Sequence, residues 1–226
     1  MKYNIIYCDV PWTYTDKARA GNRGVEFKYP TMKLDDVCEL PVDEIADDNC
    51  CLFFWVTSPQ LPNMFRVLDS WGFTYKNKAF NWIKTNKKKT DTLFWGMGNW
   101  TRANSEDCYL AVKGKPKRKS AKVHQVIMSS VTKHSSKPPE VRDRIVQLCG
   151  DVPRIELFAR EKTDGWDVLG NDIDGKDIRD SIKDLISPKE FHDFKKVWQS
   201  NKKEVDNCPN FFKDVFSEAK KKGKKC

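Results

Sequence analysis

The chain has 226 residues, 39% hydrophobic and 12% aromatic, with eight Trp and thirteen Phe; that suffices for one globular core and excludes wholesale disorder. No apolar run approaches the roughly 18–20 residues of a membrane span, and the N-terminal apolar stretch, interrupted by Asp9, is no signal peptide, so a cytoplasmic protein is expected. A formal charge of +9 favours a polyanionic partner through counterion release.

In chain order, Tyr3 to Val10 reads as a buried strand ending in Asp9-Val10-Pro11-Trp12. Residues 13–31 are polar and basic, with two Gly, and read as a long loop of the kind that usually serves function. A short helix is expected over Met32–Cys38 and a strand over Cys51–Thr57. Ser58 then caps a helix with Leu61, Met64, Phe65 and Leu68 at helical spacing, Pro59 in its first turn and Gly72 as its stop. Strands follow at Phe73–Lys84, Cys108–Val112 and Val123–Met128, then a helix opened by Pro138-Pro139 and closed by Gly150, and a last strand at Arg154–Ala159. Alternating strands and helices predict an α/β domain with a mainly parallel sheet over residues 1–172. Residues 173–226 are strongly charged and predict a helical, basic C-terminal extension. The eight Cys include no Cys-x-x-Cys pair, so no metal site is expected and the thiols read as reduced and mostly buried.

Asp9-Val10-Pro11-Trp12 stands at the carboxyl end of the first strand, where open α/β sheets bind ligands. An acid, a turn and an exposed aromatic there suit methylation of the exocyclic amine of adenine. That amine is a poor nucleophile because its lone pair is delocalised into the ring. Two acceptors, the Asp9 carboxylate and a backbone carbonyl, can hold its hydrogens and favour the pyramidal amine, while Trp12 stacks on the extruded base. Taken alone, the tetrapeptide reads more readily as a strand ending in a turn with a packed Trp.

Further strings lie in order along the chain: Tyr29-Pro30-Thr31-Met32, Leu52-Phe53-Phe54-Trp55-Val56-Thr57, Trp82-Ile83-Lys84-Thr85-Asn86, Val112-Lys113-Gly114-Lys115-Pro116, His134-Ser135-Ser136-Lys137-Pro138, and Glu156-Leu157-Phe158-Ala159-Arg160 with Gly165-Trp166 and Gly170-Asn171. With the tetrapeptide, which is close to Asp-Pro-Pro-Trp, the set resembles the MT-A-seventy-like N6-adenine methyltransferases over about residues 3–172.

The resemblance implies a Rossmann-like methyltransferase using S-adenosylmethionine, with the catalytic motif preceding the cofactor block. By it, Asp9 and the Val10 carbonyl hold N6, Pro11 shapes the turn and Trp12 stacks. Lys137 pairs with the cofactor carboxylate; Phe158, Arg160 and Asn171, with Asp172 beside them, hold ribose and adenine, and Asp9 borders the cofactor. Tyr29 lines the base pocket. Val10 replaces the family's first Pro; it keeps the carbonyl but does not lock φ, so weaker preorganisation is expected.

Three basic stretches are expected to border the site and follow phosphates: Lys17 to Lys28 (with Arg19 and Arg23), Lys84 to Lys89 (with Lys87 and Lys88), and Lys113 to Lys122 (with Arg118). Trp95 and Trp100 either stack bases or pack their loop. The reading is an adenine-N6 methyltransferase acting on nucleic acid, with DNA preferred because the chain looks like the compact bacterial and phage members; RNA is the other polymer, and a homodimer is in keeping with the family. The alternative is an inactive member that binds nucleic acid or supports a partner, against which the retained Asp9 argues.

Overall fold

Apolar side chains on both faces of the first two strands dictate the architecture. The computed structural model describes residues 2–13, 31–96, 100–131 and 136–186. Along β1 (Tyr3–Cys8), Ile6 and Cys8 enter one core and Ile5 and Tyr7 the other; along β2 (Ala46–Val56), Leu52, Phe54 and Val56 join the first, Phe53 and Trp55 the second. A strand buried on both sides needs helices on both faces of its sheet. The first face is covered by α1 (Leu34–Cys38), α2 (Val42–Ile45) and α3 (Leu61–Ser70), through Val37, Val42, Ile45, Met64, Val67 and Leu68. The second is covered by α4 (Glu140–Cys149), through Val141 and Ile145.

The remaining strands are β3 (Thr74–Thr85), β4 (Ser105–Lys113), β5 (Val126–Ser130), β6 (Arg154–Leu157) and β7 (Asp167–Leu169), and the described residues form one sheet in the order β5-β3-β4-β2-β1-β6-β7. The pairs β1–β2, β1–β6, β3–β5 and β6–β7 are parallel. Only β4 runs antiparallel to its neighbours β2 and β3. The sheet is therefore mostly parallel, as expected of a Rossmann-like methyltransferase. The carboxyl ends of the other six strands share one edge, and the amino end of β4 joins them there.

The predicted strands and helices are present with shifted ends: β1 stops at Cys8, and a 3-10 turn at Ser58–Gln60 precedes α3. Two short elements, α2 and β7, both of four residues or fewer, carry no signal in the sequence. Beyond β7, α5 (Asn171–Asp174) straddles the predicted boundary at residue 172 and α6 (Ile178–Ile186) lies within the predicted extension, of which residues 187–226 lie outside the described residues. Yet Ile178 and Ile182, one helical turn apart, enter the first core, and α6 packs on α2 and β7. The first compact unit accordingly runs to Ile186. No described helix is long and apolar enough to cross a membrane.

On the second face a buried ion pair ties α4 to the sheet. Arg142 donates from Nε and from a terminal nitrogen to the two carboxylate oxygens of Glu156, at 2.7 and 2.9 Å, and its guanidinium lies 5.7 Å from the centre of the Tyr7 ring. Burial raises the pKa of Glu156, and Arg142 works against that rise. Arg142→Ala should cost about 3–5 kcal/mol at neutral pH, because it leaves a buried carboxylate uncompensated. The deficit should narrow as pH falls and Glu156 takes up a proton. Urea unfolding across pH checks both; a pH-independent loss would show that the charge is not its source.

Candidate active site

Asp9 follows β1 at the shared edge and stands where two cavities meet. The first is lined by Asp9, Pro11, Thr31, Met32, Asp36, Phe158, Ala159, Arg160, Asn171, Asp172, Asp177, Ile178 and Arg179. The second is lined by Asp9, Val10, Pro11, Trp12, Trp55, Val56, Thr57, Glu106, Lys137 and Arg160. Asp9, Pro11 and Arg160 belong to both.

The turn after Asp9 is clamped from outside. Met32 N donates to the Pro11 carbonyl at 2.8 Å and Thr13 N to the Met32 carbonyl at 3.2 Å. The Thr13 hydroxyl donates to that of Thr31 at 3.0 Å, and Gln60 Nε2 donates to the Thr13 carbonyl at 3.2 Å. Within the turn, Trp12 N donates to the Val10 carbonyl at 2.9 Å, leaving that oxygen one lone pair. These bonds supply from neighbouring segments some of the restraint that a proline ring at position 10 would provide locally.

Charge is arranged as a chain. Lys137 Nζ lies 2.6 Å from Asp9 Oδ2 and 3.3 Å from Glu106 Oε2, and Glu106 also pairs with Lys84 at the end of β3. The Lys137 ammonium sits 5.4 Å from the Trp55 ring centre. Burial lowers the pKa of Lys137, but Asp9 and Glu106 outweigh it and leave it raised. Burial raises the pKa of Asp9 despite Lys137. Burial pushes Glu106 the same way, but Lys137 and Lys84 reverse it and hold its carboxyl below the ordinary range. Lys137 is thus a fixed cation between two carboxylates, and Asp9 is the more basic of the two.

The structure redistributes several predicted site residues. Asp9, Val10, Pro11 and Trp12 gather at the second cavity, and Phe158, Arg160, Asn171 and Asp172 join Asp9 at the first. Trp12 is not the exposed aromatic that the sequence suggests: it is 4% exposed, packs in the first core 6.0 Å from the Phe54 ring, and serves as a cavity wall. Lys137 lines the second cavity and is engaged by Asp9 and Glu106. Lys87 and Lys88 follow β3 and lie at the Asp9 edge. The stretch from Lys113 to Lys122, with Arg118, does not border the site: it follows β4, whose reversed direction delivers it to the opposite edge, where Arg118 lines a separate hollow with Lys76 and Cys149. Lys17, Arg19, Arg23 and Tyr29 lie outside the described residues. Sequence reasoning missed Glu106, whose arrival depends on the direction of β4, and Asp177 and Arg179, which α6 brings to the first cavity.

Residues 3–172 match the MT-A70 family. The chain belongs to that family. It is 36% identical over 190 residues to the Type II methyltransferase M.MunI of a Mycoplasma species, covering 76% of this chain and 78% of that protein. It is 29% identical over 182 residues to the N(6)-adenosine-methyltransferase catalytic subunit METTL3 of Homo sapiens, covering 79% of this chain and 30% of that one. A Drosophila melanogaster N(6)-adenosine-methyltransferase MT-A70-like protein is 29% identical over 177 residues, with 27% of its length covered. The chain therefore spans less than a third of the two animal proteins. This MT-A70 member is an adenine-N6 methyltransferase that uses S-adenosylmethionine.

The first cavity fits that cofactor. An aromatic ring and an amide, Phe158 and Asn171, suit adenosine, and the carboxylates of Asp9, Asp36, Asp172 and Asp177 suit a ribose diol and the positive sulfonium and ammonium groups. Its floor is closely built. A Cβ on Gly170 would lie 2.1 Å from the Ala159 carbonyl oxygen, Ala159 N donates to the Leu169 carbonyl at 2.8 Å, and Phe158 takes a left-handed φ of 61°, a conformation that surrounding structure must enforce.

Removing Lys137 should expose its hold on Asp9. In Lys137→Met the Asp9 carboxyl loses its cation while remaining packed in protein, so its pKa should rise further. Carboxyl 13C NMR titration, with Asp9→Asn to assign the signal, measures the change; an unmoved titration would show that the two groups are not coupled.

Proposed function

We propose that this MT-A70 member methylates N6 of adenine in DNA, with Asp9 holding the amine at the junction of the two cavities. The observation that carries this reading is that one carboxylate borders both a cavity suited to S-adenosylmethionine and a cavity walled by Trp12, Trp55, Glu106 and Lys137. DNA is supported by the match to a Type II methyltransferase over most of both chains, against the short span of the N(6)-adenosine-methyltransferases that the chain covers, and by the net positive charge. Cytoplasmic action accords with the described cysteines, which are free thiols.

In this reading Phe158, Arg160, Asn171 and Asp172 hold the cofactor, which when bound supplies an electrophilic methyl group on a sulfonium. Asp9 accepts one N6 hydrogen and the remaining lone pair of the Val10 carbonyl accepts the other, so that the amine becomes pyramidal and its own lone pair is freed from the ring for bonding. Methyl transfer to N6 would release one N6 proton, which passes along the hydrogen bond to Asp9, whose burial makes it a better acceptor than an exposed carboxylate. Lys137 keeps Asp9 ionised and oriented. Two of its three N–H donors face Asp9 and Glu106, and family resemblance assigns the third to the cofactor carboxylate. Trp12 walls the base pocket, and family resemblance assigns Tyr29 to the same pocket.

The test is transfer from methyl-labelled S-adenosylmethionine to mixed-sequence duplex DNA, single-stranded DNA and RNA, with the methylated nucleoside identified by mass. N6-methyladenine should form in DNA. Asp9→Ala should lose at least about 100-fold in turnover at saturating S-adenosylmethionine. Product confined to RNA would overturn the substrate, and near-parental turnover by Asp9→Ala would overturn the role of Asp9. Because Asp9 must be ionised to accept the amine hydrogen, kcat/KM should rise with pH through an acid limb above the ordinary carboxylate value of about 3.9. Lys137→Met should move that limb upward; a limb that stays in place would remove Lys137 from control of Asp9.

A further inference from the structure

The connection from β3 to β4 leaves and returns at the Asp9 edge, and it is built as an arm. At its base Asn86 N donates to the Thr92 carbonyl at 3.0 Å, and Asn86 Nδ2 to Thr92 Oγ1 and the Leu93 carbonyl at 2.9 and 3.0 Å. Phe94 N donates to the Lys84 carbonyl at 2.9 Å, Lys84 N to the Asn104 carbonyl at 2.8 Å, and Gly96 N to the Ala103 carbonyl at 2.7 Å. Residues 92–96 and 103–104 are thereby held beside the ends of both strands. The root is also joined to the catalytic residues, since Lys84 pairs with Glu106, Glu106 with Lys137 and Lys137 with Asp9.

This anchored arm holds large aromatics in water. Trp95 is 60% and Trp100 99% exposed, and Lys87, Lys88, Lys89 and Arg102 of the same connection are exposed as well. Indole has a high cost of exposure and a flat face that stacks on any base, while lysine and arginine beside it meet phosphates. A second copy of this chain fits the surface less well, because it would bring the same cluster of positive charge against itself.

We infer that the arm is a nucleic-acid clamp: Trp95 and Trp100 stack on bases flanking the adenine drawn to Asp9, and Lys87, Lys88, Lys89 and Arg102 hold the neighbouring phosphates. The inference rests on the proposal that nucleic acid is the substrate, and assigns the surface that grips it.

The experiment measures binding of fluorescent mixed-sequence duplex DNA, single-stranded DNA and RNA to the full chain by anisotropy, beside methyl transfer, S-adenosylmethionine binding, melting temperature and sedimentation. The double variant Trp95→Ala/Trp100→Ala should bind the polymer that the parent methylates about tenfold or more weakly, with KM for that polymer raised and S-adenosylmethionine binding and melting temperature unchanged. Trp95→Phe/Trp100→Phe should restore much of the loss, as stacking requires. Lys87→Gln/Lys88→Gln/Lys89→Gln should flatten the salt dependence of binding, its logarithmic slope falling by roughly one for each phosphate that is no longer neutralised. Unchanged affinity in the double alanine variant overturns the clamp. So does a change from dimer to monomer with affinity per site retained, which would make the surface an interface between copies. If the parent methylates RNA and not DNA, the DNA proposal fails, and the clamp is then decided by the same comparison on RNA.

Discussion

The ion pair between Lys137 and Asp9 joins groups 128 residues apart in the chain, and the catalytic edge depends on it. Ionised side chains packed away from water are costly unless each meets an opposite charge in good geometry. To satisfy both, β1 must deliver Asp9, the segment ahead of α4 must deliver Lys137, and β4 must arrive reversed so that Glu106 shares the ammonium. Lys84 then neutralises the second carboxylate. The residues that make the site are therefore also the ones whose charges oblige several segments to meet at one place.

The same logic continues beneath the sheet. Lys137 lies over the Trp55 ring, Trp55 Nε1 donates to the Tyr7 hydroxyl at 2.7 Å, and Tyr7 carries the Arg142 guanidinium, which holds Glu156. Ionic and aromatic contacts thus form a seam through the second core, from the first turn of α4 to Asp9. Burial raises the pKa of the Tyr7 phenol well above its usual value, so the middle of this seam stays neutral while both ends are charged. Contacts of this kind favour one arrangement of α4 over others that would bury the same apolar area, a matter of uniqueness more than of strength.

Local features of the sequence mapped well onto the fold. The apolar runs of β1 and β2, the spacing of Met64 and Leu68, and the stops at Gly72 and Gly150 each express a nearest-neighbour preference that packing reinforces. The family strings brought Phe158, Arg160, Asn171 and Asp172 together at one cavity with Asp9. What escaped was direction and partnership. Nothing local in Ser105–Lys113 says that β4 runs backwards, and that one reversal both gains Glu106 for the site and removes Arg118 from it. Trp12 read as exposed because a motif says nothing of the side chains that will pack over it, here Phe54. The strong charge of residues 173–186 made the segment read as an appendage, yet Ile178 and Ile182 fasten α6 to the domain, since two apolar positions on one helical turn are enough to bury one face.

The reversal of β4 has one more consequence. A parallel neighbour would have sent the chain from the end of β3 across the sheet to the far edge; instead, the segment between β3 and β4 begins and ends within the reach of one ladder, at Thr85 and Ser105. Loops whose two ends are fixed side by side tolerate changes in length at little cost to the scaffold. This junction is therefore a natural graft point, where longer or shorter inserts can be exchanged while the sheet, the cofactor cavity and Asp9 keep their places.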